Sequence, residues 1–280
     1  MHLVIFGLGF SGAAAAAAAT ACGMRVTATS RDPGAVVAPA GVTMMRFGAP
    51  LPEDASHVLG TAPPEAAGDP VLRAYGEALA ASRTLRWAGY LSTTGVYGDR
   101  GGGWVDEAAP VAPGQERSRR RVAAEGEWAG LAGRVAVDLF RVAGIYGLGR
   151  SALDEVRAGR ARRVVKPGHA FGRVHVDDIA GAVVAAAMQD RAAGVRVLHL
   201  ADDVPAENAE VVAEAAQLLG VAPPPAVPFE EAVAGMSEMA RSFWAENRRV
   251  SSARTQEMLG YRWRYPSYRE GLRAILSAGG

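Results

Sequence analysis

The chain has 280 residues, 49% of them apolar, enough to bury a sizeable core in one large domain. Thirty basic residues balance twenty-nine acidic ones, so no global field favours nucleic acid or an anionic membrane, and any electrostatic recognition must be local. The single cysteine, Cys22, excludes an internal disulfide framework and a multi-cysteine metal site; a buried, inert thiol in a reducing cytosol is the expectation.

From His2 to Met24 no side chain carries a formal charge, a length that would suit a membrane span. Glycines at patterned positions, weakly apolar alanine and the lack of a preceding positive segment favour a soluble, cytoplasmic protein instead. Short apolar runs then alternate with helical stretches, the mark of a parallel sheet covered by helices. Strands are expected at 2–6, 24–30, 42–47, 56–62, 85–93, 134–140 and 196–201. Helices are expected at 13–21, 70–82, 116–131, 151–159 and 178–189. That order predicts an α/β fold, a doubly wound parallel sheet of Rossmann type occupying residues 1–200. Beyond residue 200 the texture changes. A helix at 207–219 leads into "VAPPPAVPF", whose prolines predict a stiff extended connector. Helices at 230–246, 252–259 and 267–277 complete a small, mostly helical C-terminal cap, 201–280, that is not expected to fold independently.

"FGLGFSG" follows the first strand and opens the first helix, with Gly7, Gly9 and Gly12 in G-x-G-x-x-G spacing. Backbone N–H groups of Gly7, Leu8, Gly9, Phe10, Ser11 and Gly12, together with the helix N-terminus, can hold a pyrophosphate. The residue past the second strand selects the dinucleotide. Ser30 and Arg31 stand there, a hydroxyl and a guanidinium suited to a 2′-phosphate, so NADP is favoured. Asp32 keeps NAD open.

"LSTTGVYGD" (91–99), "FRVAGIYGLGR" (140–150), "GRVHVDDIAGAV" (172–183) and "RRVSSARTQEMLGYRWRYPSYREGL" (248–272) occur in an order that resembles the extended and atypical short-chain dehydrogenase/reductases, the NAD-dependent epimerase/dehydratase group. In that family a Ser or Thr before "VYG" polarises the substrate oxygen, and a Tyr-x-x-x-Lys pair on the next helix moves the proton and binds the nicotinamide ribose. The resemblance places Thr93 at the hydroxyl position, Arg117 where the tyrosine is expected and Arg121 where the lysine is expected. A guanidinium stays protonated and cannot shuttle a proton as tyrosine does, whereas Arg121 can still bond a ribose. Arg117 and Arg121, one turn apart, would face the cleft; Arg119 and Arg120 would face solvent, and Glu125 is available to Arg121 as an i,i+4 pair.

Tyr97 in "VYG" and Tyr146 in "GIYG" are the leading substitute proton donors. Thr61, Ala62 and Pro63 fall on the loop that the resemblance runs past the nicotinamide half of the cofactor. Lys166, Arg117, Arg150 and Arg173 could form an anion-binding wall. His175, Asp177 and Asp178 read as a helix cap, with an aspartate capping, rather than as a metal site.

The favoured function is an NADP-dependent reductase acting on a small carbonyl, imine or enone, with a small-molecule substrate suited to carrying an anionic group. A sugar-nucleotide epimerase or dehydratase is the alternative from the same resemblance, and a redox-silent NADP-binding sensor or scaffold the alternative from another class. A monomer or homodimer is expected, with neither nucleic acid nor membrane as partner.

Overall fold

A computed structural model describes residues 1–279. Its strands are β1 (His2–Phe6), β2 (Arg25–Ser30), β3 (Val42–Arg46), β4 (His57–Gly60), β5 (Trp87–Thr93), β6 (Trp104–Val105), β7 (Ala136–Val142), β8 (Gly144–Tyr146), β9 (Arg163–Val165), β10 (Ala170–Phe171), β11 (Arg173–His175), β12 (Gly194–Leu200), β13 (Ala206–Glu207), β14 (Ala226–Pro228) and β15 (Arg249–Val250). Its helices are α1 (Phe10–Ala21), α2 (Pro70–Ala81), α3 (Glu116–Ala129), α4 (Ala152–Arg157), α5 (Val176–Ala187), α6 (Asn208–Leu218), α7 (Phe229–Ala232), α8 (Glu238–Trp244), α9 (Ala253–Leu259) and α10 (Tyr268–Gly279).

Seven strands form one sheet in the order β12-β7-β5-β4-β1-β2-β3. Every pair in it is parallel. The central strands are buried along almost their whole length, and mostly apolar, because both faces are covered. On one face α1 and α5 pack through Ala15, Ala19, Ile179 and Val183, joined by Leu259 of α9. The alanine tract therefore serves close helix packing. On the other face α2 and α3 contribute Val71, Tyr75, Leu79, Ala124 and Trp128. The strand order reverses between β1 and β4, so the loops leaving their carboxyl ends diverge and open the crevice where this fold class binds ligands.

Residues beyond 200 interleave with the earlier chain. β13, β14 and β15 pair with β10, β9 and β6 respectively. Three expectations change. The end of "VAPPPAVPF" is not merely a connector: Ala226–Pro228 pairs with Arg163–Val165 in a two-stranded ribbon, where an edge tolerates proline. The single helix expected at 230–246 breaks into α7, a 3₁₀ turn at Val233–Gly235, and α8, because the Ser237 hydroxyl accepts the Ala240 N–H at 3.2 Å and starts a new helix. Cys22 is exposed rather than buried, since it caps the C-terminus of α1 beyond the packed face.

No helix among the described residues is long and apolar enough to cross a membrane.

Candidate functional site

The glycine loop is built as its spacing requires. Gly7 has φ +102°, a left-handed conformation that disfavours any side chain. A Cβ on Gly12 would sit 2.3 Å from the Gly7 carbonyl oxygen, so only glycine lets α1 approach the turn this closely. A Cβ on Gly9 would meet nothing within 4 Å, which leaves open space beside the N-terminus of α1. The residues present thus fit a pyrophosphate cradle: bare backbone, an uncapped helix start at Gly9 and room for a ligand.

Thr61, at the end of β4, spans the reversal point. Its hydroxyl donates to the Gly7 carbonyl at 2.7 Å and the Phe6 carbonyl at 3.1 Å. The side chain expected to touch the cofactor thus clasps the glycine loop. Ala62 and Pro63 continue the same loop. Ser30 ends β2, its hydroxyl bonded to the Asp32 backbone, and Arg31 beside it is exposed and forms no ion pair with the described residues.

A second cavity, of about 380 Å³, opens beyond the carboxyl ends of β5 and β7. Thr93, Arg117, Tyr146 and Arg173 line it, joined by Phe243, Trp244, Glu246 and Arg248 from the C-terminal region. The Thr93 side-chain oxygen accepts the Gly95 N–H at 3.1 Å, leaving its own proton to donate. Arg117 lies over the Phe243 ring, 4.1 Å from the centroid, and forms no ion pair with the described residues.

Arg121 turns toward the sheet: its guanidinium donates to the Leu91 carbonyl at 2.7 Å and the Tyr90 hydroxyl at 3.0 Å. It does not line the cavity with Arg117. Arg119 and Arg120 do face solvent, both on Glu116. Glu125 does not pair with Arg121. It is buried and takes both arms of Arg141 at 2.7 and 3.1 Å, together with the Ser92 hydroxyl at 2.5 Å. The helix-surface rule failed there because Glu125 points at the sheet, where a buried strand arginine lies closer than any helical neighbour.

The substitute tyrosines also change place. Tyr97 is wholly buried. Its oxygen accepts from Arg141 at 2.7 Å, and its proton goes to His199 Nε2 at 2.5 Å. That direction follows because His199 Nδ1 donates to the Ser251 carbonyl at 2.7 Å, leaving Nε2 as the acceptor. Burial lowers the His199 pKa and raises that of Tyr97, so the pair stays neutral. Contrary to expectation, the Tyr97 hydroxyl lies outside the cavity. Tyr146 lines the cavity, but its hydroxyl turns to the Ser267 carbonyl and lies against Gly271, where a Cβ would come within 2.1 Å of it. Burial raises its pKa well above that of free tyrosine.

The proposed arginine wall is split. Arg117 and Arg173 line the cavity, and Arg248 joins them. Lys166 instead donates to the Trp244 carbonyl at 2.8 Å and sits over the Phe229 ring, while Arg150 lies over Phe10 of the glycine loop. His175 itself, not an aspartate, caps α5: its Nδ1 accepts the Asp177 N–H at 3.2 Å. Asp178 accepts from the Tyr261 hydroxyl and the Arg264 and Tyr265 N–H groups, tying the C-terminal segment to α5. Glu246 and Arg248 were not foreseen. The only signal for them was the position of "ENRRV" at the head of the segment that resembles the family's C-terminal element.

No family model matches the chain. It is 39% identical to a conserved protein of unknown function from Silicibacter pomeroyi DSS, with 99% of each chain covered and a TM-score of 0.89. The human epimerase family protein SDR39U1 (isoform 2), solved with NADPH, is 20% identical over 99% of each chain, with a TM-score of 0.78. UDP-glucuronic acid 4-epimerase from Bacillus cereus, solved with NAD, is 14% identical over 99% of this chain and 96% of its own, with a TM-score of 0.75. A 3-diazoavenalumate denitrifying reductase from a Streptomyces species is 34% identical over 99 residues, which span 35% of this chain and 32% of that protein.

Proposed function

This chain belongs to one family with the Silicibacter pomeroyi protein and has the fold of the NAD-dependent epimerase/dehydratases, the extended short-chain dehydrogenase/reductases; from that premise we propose that it is an NADP-dependent reductase of a small carbonyl, imine or enone. The observation that carries the reading is the glycine loop clasped by Thr61 at the reversal of strand order, with the Thr93 cavity beyond the neighbouring strand ends. The NADPH in the human structure and the reductase activity of the Streptomyces protein support it.

The backbone of Gly7–Gly12 and the start of α1 would hold the pyrophosphate, and Ser30 and Arg31 the 2′-phosphate. NADPH supplies a hydride when bound. The protein's own task is then to orient the acceptor and to place a hydrogen-bond donor on the atom that gains charge. The Thr93 hydroxyl suits that task because its proton is not used elsewhere. Neither Tyr97 nor Tyr146 presents a hydroxyl there, so the product takes its proton through Thr93 from solvent.

NADPH binding by fluorescence, followed by loss of NADPH absorbance across a panel of carbonyls, imines, enones and diazo compounds, tests the proposal. Oxidation by any member supports it. Tight binding with no oxidation across the panel assigns the chain to the redox-silent alternative. The sugar-nucleotide alternative is weakened by Arg117, since a fixed cation stands where that chemistry needs a proton carrier.

A further inference from the structure

The wall of the Thr93 cavity contributed by residues 246–248 carries both signs of charge. Glu246 is 9% exposed. Its Oε2 accepts from Arg248 at 2.8 Å, while its Oε1 is buried and has no hydrogen-bond partner. Arg248 spends a second bond on the Gly98 carbonyl at 2.9 Å, and its Nε is also buried without an acceptor. Arg117 completes the wall with no anionic partner among the described residues. Leaving one such group unpaired in a folded interior is costly; here both an acceptor, Glu246 Oε1, and a donor, Arg248 Nε, are left unpaired.

We propose that this wall selects substrates bearing one anionic group and, beside it, an N–H or O–H donor: the anion for Arg117 and Arg248, the donor for Glu246 Oε1. The proposal deepens the reductase reading, resting on it only for the cavity being the substrate site. Two arginines attract a single carboxylate. The Glu246 carboxylate repels a second negative charge, so a diphosphate is rejected where a hydroxy- or amino-carboxylate is accepted.

The test compares 3- and 4-hydroxybenzoate with their methyl ethers, phenol and UDP-glucose, by calorimetry or ligand-observed NMR, with and without NADPH. The better hydroxybenzoate is expected to bind about tenfold more tightly than its ether, and more tightly than phenol or UDP-glucose. Glu246→Gln, which preserves shape, and Glu246→Ala should each erode the preference for the hydroxyl, and both should leave NADPH affinity unchanged. Equal affinity for the hydroxybenzoate and its methyl ether, absence of binding by all the probes, tighter binding of UDP-glucose, or a preference that survives both substitutions overturns the proposal. Failure of NADPH to bind the wild type overturns the reductase reading instead, because the probes are also measured without it.

Discussion

Glu125 of α3 and Arg141 of β7 form a buried, two-bond ion pair, at 2.7 and 3.1 Å, that joins the helix carrying the arginine run to the sheet. Ser92 and Tyr97 complete its hydrogen bonding, so neither charge is left uncompensated. Glu125→Ala should therefore destabilise by roughly 3–5 kcal/mol, the usual cost of stranding one buried charge. The double variant Glu125→Leu, Arg141→Met should be less damaged than either single change. A double-mutant cycle in urea checks both statements, and additive losses would contradict them.

Gly12→Ala should strike the cofactor loop first. The added Cβ lies 2.3 Å from the Gly7 carbonyl, a distance no backbone tolerates, so the turn or α1 must shift. NADPH affinity is expected to fall by about tenfold or more, with a stability loss of roughly 1–3 kcal/mol from overpacking. Thr61→Val, which removes the clasp while keeping the shape, should weaken NADPH more gently. Fluorescence titration and thermal melts separate the two effects.

Arg31→Ala should weaken NADPH by about tenfold or more while leaving NADH nearly unchanged, because only the former carries the 2′-phosphate. Arg31 is exposed and forms no ion pair with the described residues, so its removal should not lower the melting temperature. Equal loss for both dinucleotides would contradict the assignment to NADP.

Tyr97→Phe should behave as a core substitution. It strands Arg141 and His199, which both bond the lost hydroxyl, at a cost of roughly 1–3 kcal/mol. At temperatures where the variant stays folded, turnover should remain close to wild type, and so should that of Tyr146→Phe. Thr93→Val, in contrast, should lower kcat without changing NADPH affinity. Steady-state kinetics with any substrate found active distinguishes these outcomes.

Asp202 is buried, and neither of its carboxylate oxygens has a hydrogen-bond partner. Burial pushes its pKa from 3.8 up to about 8. A raised folded-state pKa contributes stability that is fully present below the unfolded value and is lost as pH climbs through the folded one. Asp202→Asn, neutral at every pH, should therefore gain on the wild type by about 1 kcal/mol per pH unit across that window. Melting temperatures at about pH 5 and about pH 8 should diverge in favour of asparagine at the higher pH. A constant difference would mean that Asp202 does not titrate there.

What was legible in the sequence is what local chemistry dictates. Hydrophobic period and length set the seven strands of the main sheet and most helices, and the glycine spacing located the loop because steric demands at Gly7 and Gly12 act over a few residues. What was not legible depends on partners distant in the chain. Glu125 looked like a helix-surface residue until the strand bearing Arg141 was laid beneath it. Tyr97 looked available until β12 delivered His199 to its hydroxyl. Glu246 and Arg248 had no local pattern to mark them, since their meaning comes from Thr93 and Arg117 across the cavity. The helix expected at 230–246 failed for a local reason: Gly235 and Ser237 end one helix and start another.

The two halves of the site are completed at very different points along the chain. The clasp between Thr61 and Gly7 needs only the first quarter of the polypeptide, whereas the wall at Glu246 and Arg248 needs β15 to pair with β6 near the other end. During synthesis the glycine loop and Thr61 emerge long before Glu246 and Arg248, so under the proposed reading a nascent chain paused before β15 still lacks the wall that would choose an acceptor.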